Sequence, residues 1–290
     1  MPPARSTTPA GTEPAAAPAR PGWARPVLAA VLVATGLAAL TQLGAAPPDP
    51  APRAAPPAPA GAAAPEPVPP TIEGRRIIVG GAPGPIRQRV TAHIGAAITA
   101  VDGFWGTDWP TEIVIETVDS DREFTARTGL SEPMAAAAVA GWVDPARGIA
   151  AGQAIVIAPG AAGIGDDALQ TVLTHELFHY ATRAHTALDA PRWLQEGVAD
   201  YVARPAPRHP AVPDRLPDDA DFTGTGAALS AGYDRAWLLA RFIAERYGPD
   251  RLRALYAAGA GPGHPDPDTA LRRTLGVDPA ELFAQWRATA

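Results

Sequence analysis

Two histidines and a glutamate set the chemical question in this chain. His175, Glu176 and His179 stand as H-E-x-x-H within Thr174-His175-Glu176-Leu177-Phe178-His179-Tyr180. On an α-helix, residues four apart share a face and lie about 6 Å apart along the axis, so both imidazoles can reach one metal ion. Glu176 sits one position round the helix from His175, poorly placed to ligate the same ion but able to reach a water bound to it. The spacing predicts two metal ligands and a general base. Against it stands the plain alternative of two helix histidines that happen to be four apart, so the flanking chain has to decide.

The element that carries the motif is a helix opening at Asp166 or Asp167, with Gln170 three residues after Asp167 in a capping-box-like arrangement. Leu169, Val172, Leu173 and Leu177 form an apolar stripe that should pack inward and leave His175, Glu176 and His179 toward a cleft. Two candidates exist for a third ligand. His185 completes H-E-x-x-H-x-x-T-x-x-H, but Thr182 stands where a glycine would let the chain turn. If the helix continues, His185 points about 120° away from His179 and about 9 Å further along the axis. The methionines, Met1 and Met134, both precede the motif, so no Met-turn comes after it. His185 therefore reads as an ordinary surface histidine.

Glu196 is the better candidate, in Pro191-Arg192-Trp193-Leu194-Gln195-Glu196-Gly197-Val198-Ala199-Asp200-Tyr201. Pro191 suits the first turn of a helix that stops at Arg204-Pro205. Glu196 and Asp200 are four apart and share a face, so one carboxylate can ligate while the other accepts the N–H of a metal-bound imidazole and fixes its tautomer. Trp193, Leu194 and Val198 around them argue for a partly buried face rather than two solvated acids.

The rest of the chain supplies the setting. The net charge of −6 with no Lys/Arg-rich run gives no footprint for nucleic acid. No cysteine is present, which excludes disulfides and thiolate ligands and leaves His and carboxylate for any zinc. Residues 1–25 read as a disordered, basic leader. Residues 26–46 contain the uncharged run VLAAVLVATGLAALTQLGAA, about 30 Å long as a helix and enough to cross a bilayer. The arginines before it orient the N-terminus to the cytoplasm. A cleaved signal sequence, with secretion of the remaining chain, is the alternative, although Pro47 disfavours cleavage after Gly44-Ala45-Ala46. Residues 47–70 are a Pro/Ala-rich linker, an extended stalk, and 71–290 form one extracytoplasmic domain.

Within that domain, strands are expected at Arg76–Val79, Thr111–Val118, Ala136–Val143 and Gln153–Ala158. Helices are expected at Ile86–Val101, from Asp119 or Asp121 to Arg127, and at Gly232–Tyr247, Arg251–Ala258, Thr269–Leu275 and Glu281–Thr289. Asp214, Asp218, Asp219 and Asp221 lack an EF-hand spacing and read as a solvated acidic loop rather than a calcium site. His209 and His264, in Pro-rich loops, read as solvated.

Taken together, VLTHELFHYATR and, downstream, PRWLQEGVADYVA resemble the gluzincin superfamily of zinc metallopeptidases, which share H-E-x-x-H with a downstream Glu in E-x-x-x-D. More particularly the chain is similar to the thermolysin-like peptidase MA family. The resemblance covers roughly Ile77 to Trp286. It implies one catalytic Zn2+ held by His175, His179 and Glu196, Glu176 as general base and acid, and Asp200 supporting an imidazole. The sixteen residues between His179 and Glu196 are slightly fewer than in well-known members.

The expected architecture is α+β and zincin-like, a small N-terminal β-containing lobe and a helical C-terminal lobe flanking a zinc cleft. The expected activity is hydrolysis of peptide or protein substrates. Two His and one Glu leave a fourth zinc position for water, as catalytic sites require. A donor for the developing oxyanion is also needed, and Tyr233 is chosen for it, with Tyr201 as the second choice. The competing class is a non-catalytic, extracytoplasmic zinc-binding scaffold or interaction module. Glu176 separates the two, because a structural site has no need of a base.

Overall fold

Alternation of apolar residues decides how the sheet is built. Ile113 and Ile115 in β3 (Glu112–Thr117) and Ile155 and Ile157 in β7 (Ala154–Ile157) point to one face, while Val156 points to the other. A computed structural model of the protein describes residues 69–81, 84–130, 134–207 and 214–289. The leader, the apolar segment and nearly all of the Pro/Ala linker lie outside the described residues, as does His209. Among the described residues no helix is long and apolar enough to cross a membrane.

The protein is α+β. A five-stranded mixed sheet runs in the order β1 (Thr71–Ile72), β2 (Arg75–Gly80), β3, β7, β4 (Ala136–Val139). β2, β3 and β7 are parallel neighbours, and β1 and β4 are antiparallel edges. On one face lie α1 (Pro85–Trp105) and the motif helix α3 (Asp166–Thr182), which bury Val90, Ile94, Ile98, Leu169, Val172, Leu173 and Leu177 with the isoleucines above. The opposite face is covered by α2 (Asp121–Thr128), whose Phe124 packs with Val118, Ala137 and Val156. The chain continues through α4 (Arg192–Ala203), α5 (Gly226–Tyr247), α6 (Pro249–Ala260), α7 (Pro267–Leu275) and α8 (Pro279–Arg287). Four of these have proline at or next to the first turn, where its missing N–H costs nothing.

Several expectations need correction. The apolar run Ala136–Val143 is two strands, because at Gly141 the chain leaves the main sheet. The Gly141 N–H donates to the carbonyls of Ala151 and Gly152 at 3.0 and 3.2 Å. β5 (Trp142–Asp144) then pairs with β6 (Ile149–Ala151), a strand not expected, as a separate hairpin. α2 is capped by Ser120, whose Oγ accepts the Glu123 N–H at 3.2 Å, rather than by Asp119 or Asp121. Neither Asp166 nor Asp167 caps α3, which starts after Gly165. The Asp166 carboxylate is instead drawn to Arg89 of α1 at 2.8 Å. α5 begins six residues earlier than expected, which sets Tyr233 two turns inside the helix rather than at its start.

The aspartates between α4 and α5 are not simply solvated. Asp214 pairs with Arg235 at 3.1 Å, Asp218 with Arg215 at 3.1 Å, and Asp221 with both arginines. Asp219 accepts the backbone N–H groups of Arg192 and Trp193 at 2.7 and 3.3 Å, supplying from another segment the cap that Pro191 cannot give α4. His264 is half-buried, lying 3.5 Å from Asp189.

Candidate metal centre

Helical spacing and packing bring the histidines to α4. α3 crosses α4 so that His175 Nε2, His179 Nε2 and one carboxylate oxygen of Glu196 converge, all buried. The distances are 2.9 Å between the two nitrogens, 3.3 Å from His175 to Glu196 and 3.5 Å from His179 to Glu196. Donor atoms bound tetrahedrally to zinc at 2.0–2.1 Å are separated by about 3.4 Å. The set of His175, His179 and Glu196 therefore fits one such ion, and its nitrogen and oxygen donors suit zinc.

The tautomers sharpen this fit. His175 Nδ1 lies 2.9 Å from Asp200 Oδ1, so it carries the proton given to that carboxylate, and Nε2 is left with its lone pair facing inward. Three electron-rich atoms thus face one another out of solvent, an arrangement that a cation stabilises. Without one, a proton takes its place. Burial pulls the His175 pKa down, but the Asp200 and Glu196 carboxylates outweigh it and push it up to about 10. Burial likewise disfavours the charged form of Glu196, yet the two imidazoles hold its pKa below the usual carboxylate value. Binding a metal here releases that proton.

Asp200 is held in turn. Its other oxygen is 3.1 Å from Arg204, which reaches Asp234 at 2.8 Å and stacks 3.9 Å over the Trp237 ring. α4 can carry ligand and support together because it lies very close to α5 at Gly197. A Cβ there would come within 2.6 Å of the Ala236 carbonyl oxygen. That glycine, between Glu196 and Val198, has a packing reason that no local sequence pattern announces.

Glu176 is fully buried. One of its oxygens accepts the Ala138 N–H of edge strand β4 at 2.6 Å, and the other has no hydrogen-bond partner among the described residues. Burial pushes its pKa up to about 7, opposed by the charge of His175 and by the Ala138 N–H. Its tether lies 38 residues away in sequence, beyond the reach of any short motif. The short side chains of Ala136 and Ala138, on the face toward α3, let the strand run close beside it.

The remaining candidates separate cleanly. α3 ends at Thr182 and passes into a 3₁₀ turn, Arg183–His185, so the helix does not continue through His185. His185 is still no ligand: it is exposed and lies outside the converging set. Tyr233 is buried with its ring edge-on to Phe222 at 5.1 Å, and its hydroxyl has no hydrogen-bond partner among the described residues. Burial raises its pKa and the charge of Glu196 adds to that, so the hydroxyl keeps its proton beside a ligand residue. Tyr201 turns the other way, edge-on to Phe104 of α1 at 5.5 Å and under the influence of Arg241 and Glu245, which removes it as an oxyanion donor.

Beside His179 opens a cleft of about 330 Å³. Its walls are β4, the β5–β6 hairpin and the 3₁₀ turn after α3, and the exposed Trp142 and Leu188 stand at it. Comparison with family models, with curated proteins and with solved structures gives no match for this chain.

Proposed function

We propose that the protein is a zinc-dependent peptidase of zincin-like fold, in which a carboxylate base works beside a two-histidine, one-glutamate metal site. The observation that carries this reading is Glu176. It is buried at the converging ligands with one oxygen tied to β4 and the other uncommitted, an expensive arrangement that a purely structural site does not require. A zinc ion held by His175, His179 and Glu196 would supply Lewis-acid polarisation of a carbonyl and a more acidic water.

The chain's own groups do the rest. The Ala138 N–H fixes the Glu176 carboxylate in place, so its second oxygen can take a proton from the attacking water and deliver it to the leaving amine. Burial, which raises the Glu176 pKa, helps the carboxyl hold the proton between the two halves of that exchange. Asp200 holds the His175 tautomer that presents Nε2. Tyr233, with an unpartnered hydroxyl beside Glu196, is the donor for charge developing on the carbonyl oxygen. The cleft beside His179 is where a peptide would lie.

Metal content and peptide hydrolysis, measured together on the full chain, test the reading. One zinc per chain is expected, with hydrolysis that falls about 10²–10⁴-fold in Glu176→Gln while the zinc is retained. Zinc at one per chain, no cleavage of any peptide in a diverse library and no effect of Glu176→Gln would leave a zinc-holding scaffold instead.

A further inference from the structure

The cleft beside His179 contains a charge that no described residue answers. Of the charged residues lining it, Glu116 and Arg127 are paired with each other at 2.9 Å. Arg183, in the 3₁₀ turn after α3, also lines the cleft and is only partly exposed. No carboxylate among the described residues lies within ion-pair distance of it, and its side chain donates no hydrogen bond to them. Burial weighs against its charged form and lowers its pKa from the usual guanidinium value. A guanidinium offers five N–H donors in a planar fork, and here that fork has no protein acceptor among the described residues.

A second side chain in the same cleft is also unanswered. Gln153, just before β7, is 9 % exposed, and its carboxamide oxygen is buried with no donor among the described residues. The cleft thus holds spare donors at Arg183 and a spare acceptor at Gln153. Trp142, Leu188, Val139 and Val143 give it an apolar lining. The matching ligand carries a carboxylate for Arg183, an N–H for Gln153 and an apolar stem between polar ends.

We infer that Arg183 and Gln153 make this cleft a specificity site for a peptide carboxylate, supplied by a Glu or Asp side chain or by a free C-terminus. The inference rests on the peptidase reading for its link to cleavage, while the binding it describes does not depend on turnover. The bidentate fork of Arg183 selects the carboxylate, and the Gln153 carboxamide, turned toward the cleft it lines, accepts a backbone N–H of the same peptide. The unpaired cation also repels Lys and Arg side chains, so the site rejects as well as selects.

The test uses the zinc-loaded full chain and a mixed peptide library, half with free and half with amidated C-termini, with cleavage sites read by mass spectrometry. Enrichment of Glu and Asp at one fixed position relative to the cut identifies the side chain as the source. Cuts confined to a set distance from free C-termini identify the terminal carboxylate. Either preference is expected to be about tenfold or more over the neutral counterpart. It should vanish in Arg183→Ala, persist in part in Arg183→Lys and turn toward Lys and Arg in Arg183→Glu. A wild-type profile without acidic or C-terminal preference overturns the inference, as does a preference that survives Arg183→Ala.

Should the wild type cleave nothing, the peptidase reading fails separately. Fluorescence anisotropy with labelled Glu- and Gln-containing peptides then decides the carboxylate site. Tighter binding of the Glu peptide that is lost in Arg183→Ala supports it, and equal binding of the two peptides overturns it.

Discussion

Two regions of this protein bury charge, and they do so in opposite ways. At the start of β2, facing α1, Arg75 is 4 % exposed. Its NH1 donates to the Trp109 and Pro110 carbonyls at 2.9 Å each, its NH2 meets Asp102 at 2.8 Å, and the guanidinium lies 3.2 Å over the Trp109 ring. The Trp109 indole N–H donates to the same Asp102 oxygen at 2.7 Å. There a positive charge meets a negative one and both terminal nitrogens of the guanidinium find acceptors, with Nε alone lacking one among the described residues. At His175, His179 and Glu196 two ring nitrogens and a carboxylate oxygen converge instead, and what holds them together is a shared proton or a metal cation in its place. On the proposed function, the comparison separates buried polarity that holds a fold together from buried polarity that receives a metal.

The largest test of this contrast is metal removal. If the ligand triad depends on a cation, chelation of the zinc-loaded protein should lower its unfolding free energy by about 4 kcal/mol where free metal had stood a thousandfold above its dissociation constant. Denaturant titration with and without chelator measures it. An unchanged midpoint would place the triad in the same class as the Arg75 cluster. Next in size, Arg75→Ala strands Asp102 and should cost about 3 kcal/mol, at the lower end for a broken buried pair because Asp102 is partly exposed. Zinc stoichiometry should not move, and a loss of zinc in that variant would show that the two regions are coupled.

Smaller effects refine the metal side. Gly197→Ala sets a methyl against the Ala236 carbonyl and must push α4 from α5, costing about 1–3 kcal/mol and weakening zinc through Glu196. Competition with a chromogenic chelator reads the affinity. Asp200→Asn, which leaves α4 in place, should weaken zinc about 10–100-fold by releasing the His175 tautomer. Smallest in stability is Tyr233→Phe. Its hydroxyl faces the Arg192 side chain without a well-formed hydrogen bond, so the melting temperature should change little while kcat falls. A clear loss of stability with kcat intact would make Tyr233 a packing residue.

Much of the centre was legible because its geometry is local. His175 and His179, and Glu196 and Asp200, are two pairs at a spacing of four, and helix periodicity alone puts each pair on one face. The crossing of α3 and α4 that joins the pairs is tertiary, and the paired motifs pointed to it without showing it. What escaped is non-local. The Ala138 N–H reaches Glu176 across 38 residues, Asp219 caps a helix 27 residues before it, and Gly197 is glycine because of α5 rather than any turn of its own.

In the sheet, the β-branched runs gave away β2, β3 and β7. The break at Gly141 did not show, because an apolar run looks the same whether it continues in one sheet or folds back into a hairpin. Asp166 illustrates the same limit at a helix end, where capping chemistry was right for the residue type but Arg89 had a stronger claim on the carboxylate.

The hairpin that hangs from Gly141 and Gly152 has a consequence for how such a protein can change. It makes its own ladder, begins and ends at neighbouring backbone points, and forms one wall of the cleft without contributing a metal ligand. Exchange of this hairpin for another sequence of the same length would alter what the cleft admits and leave α3 and α4 untouched. One wall of the cleft can thus be recast by selection or engineering while the two helices that carry His175, His179 and Glu196 keep their sequence.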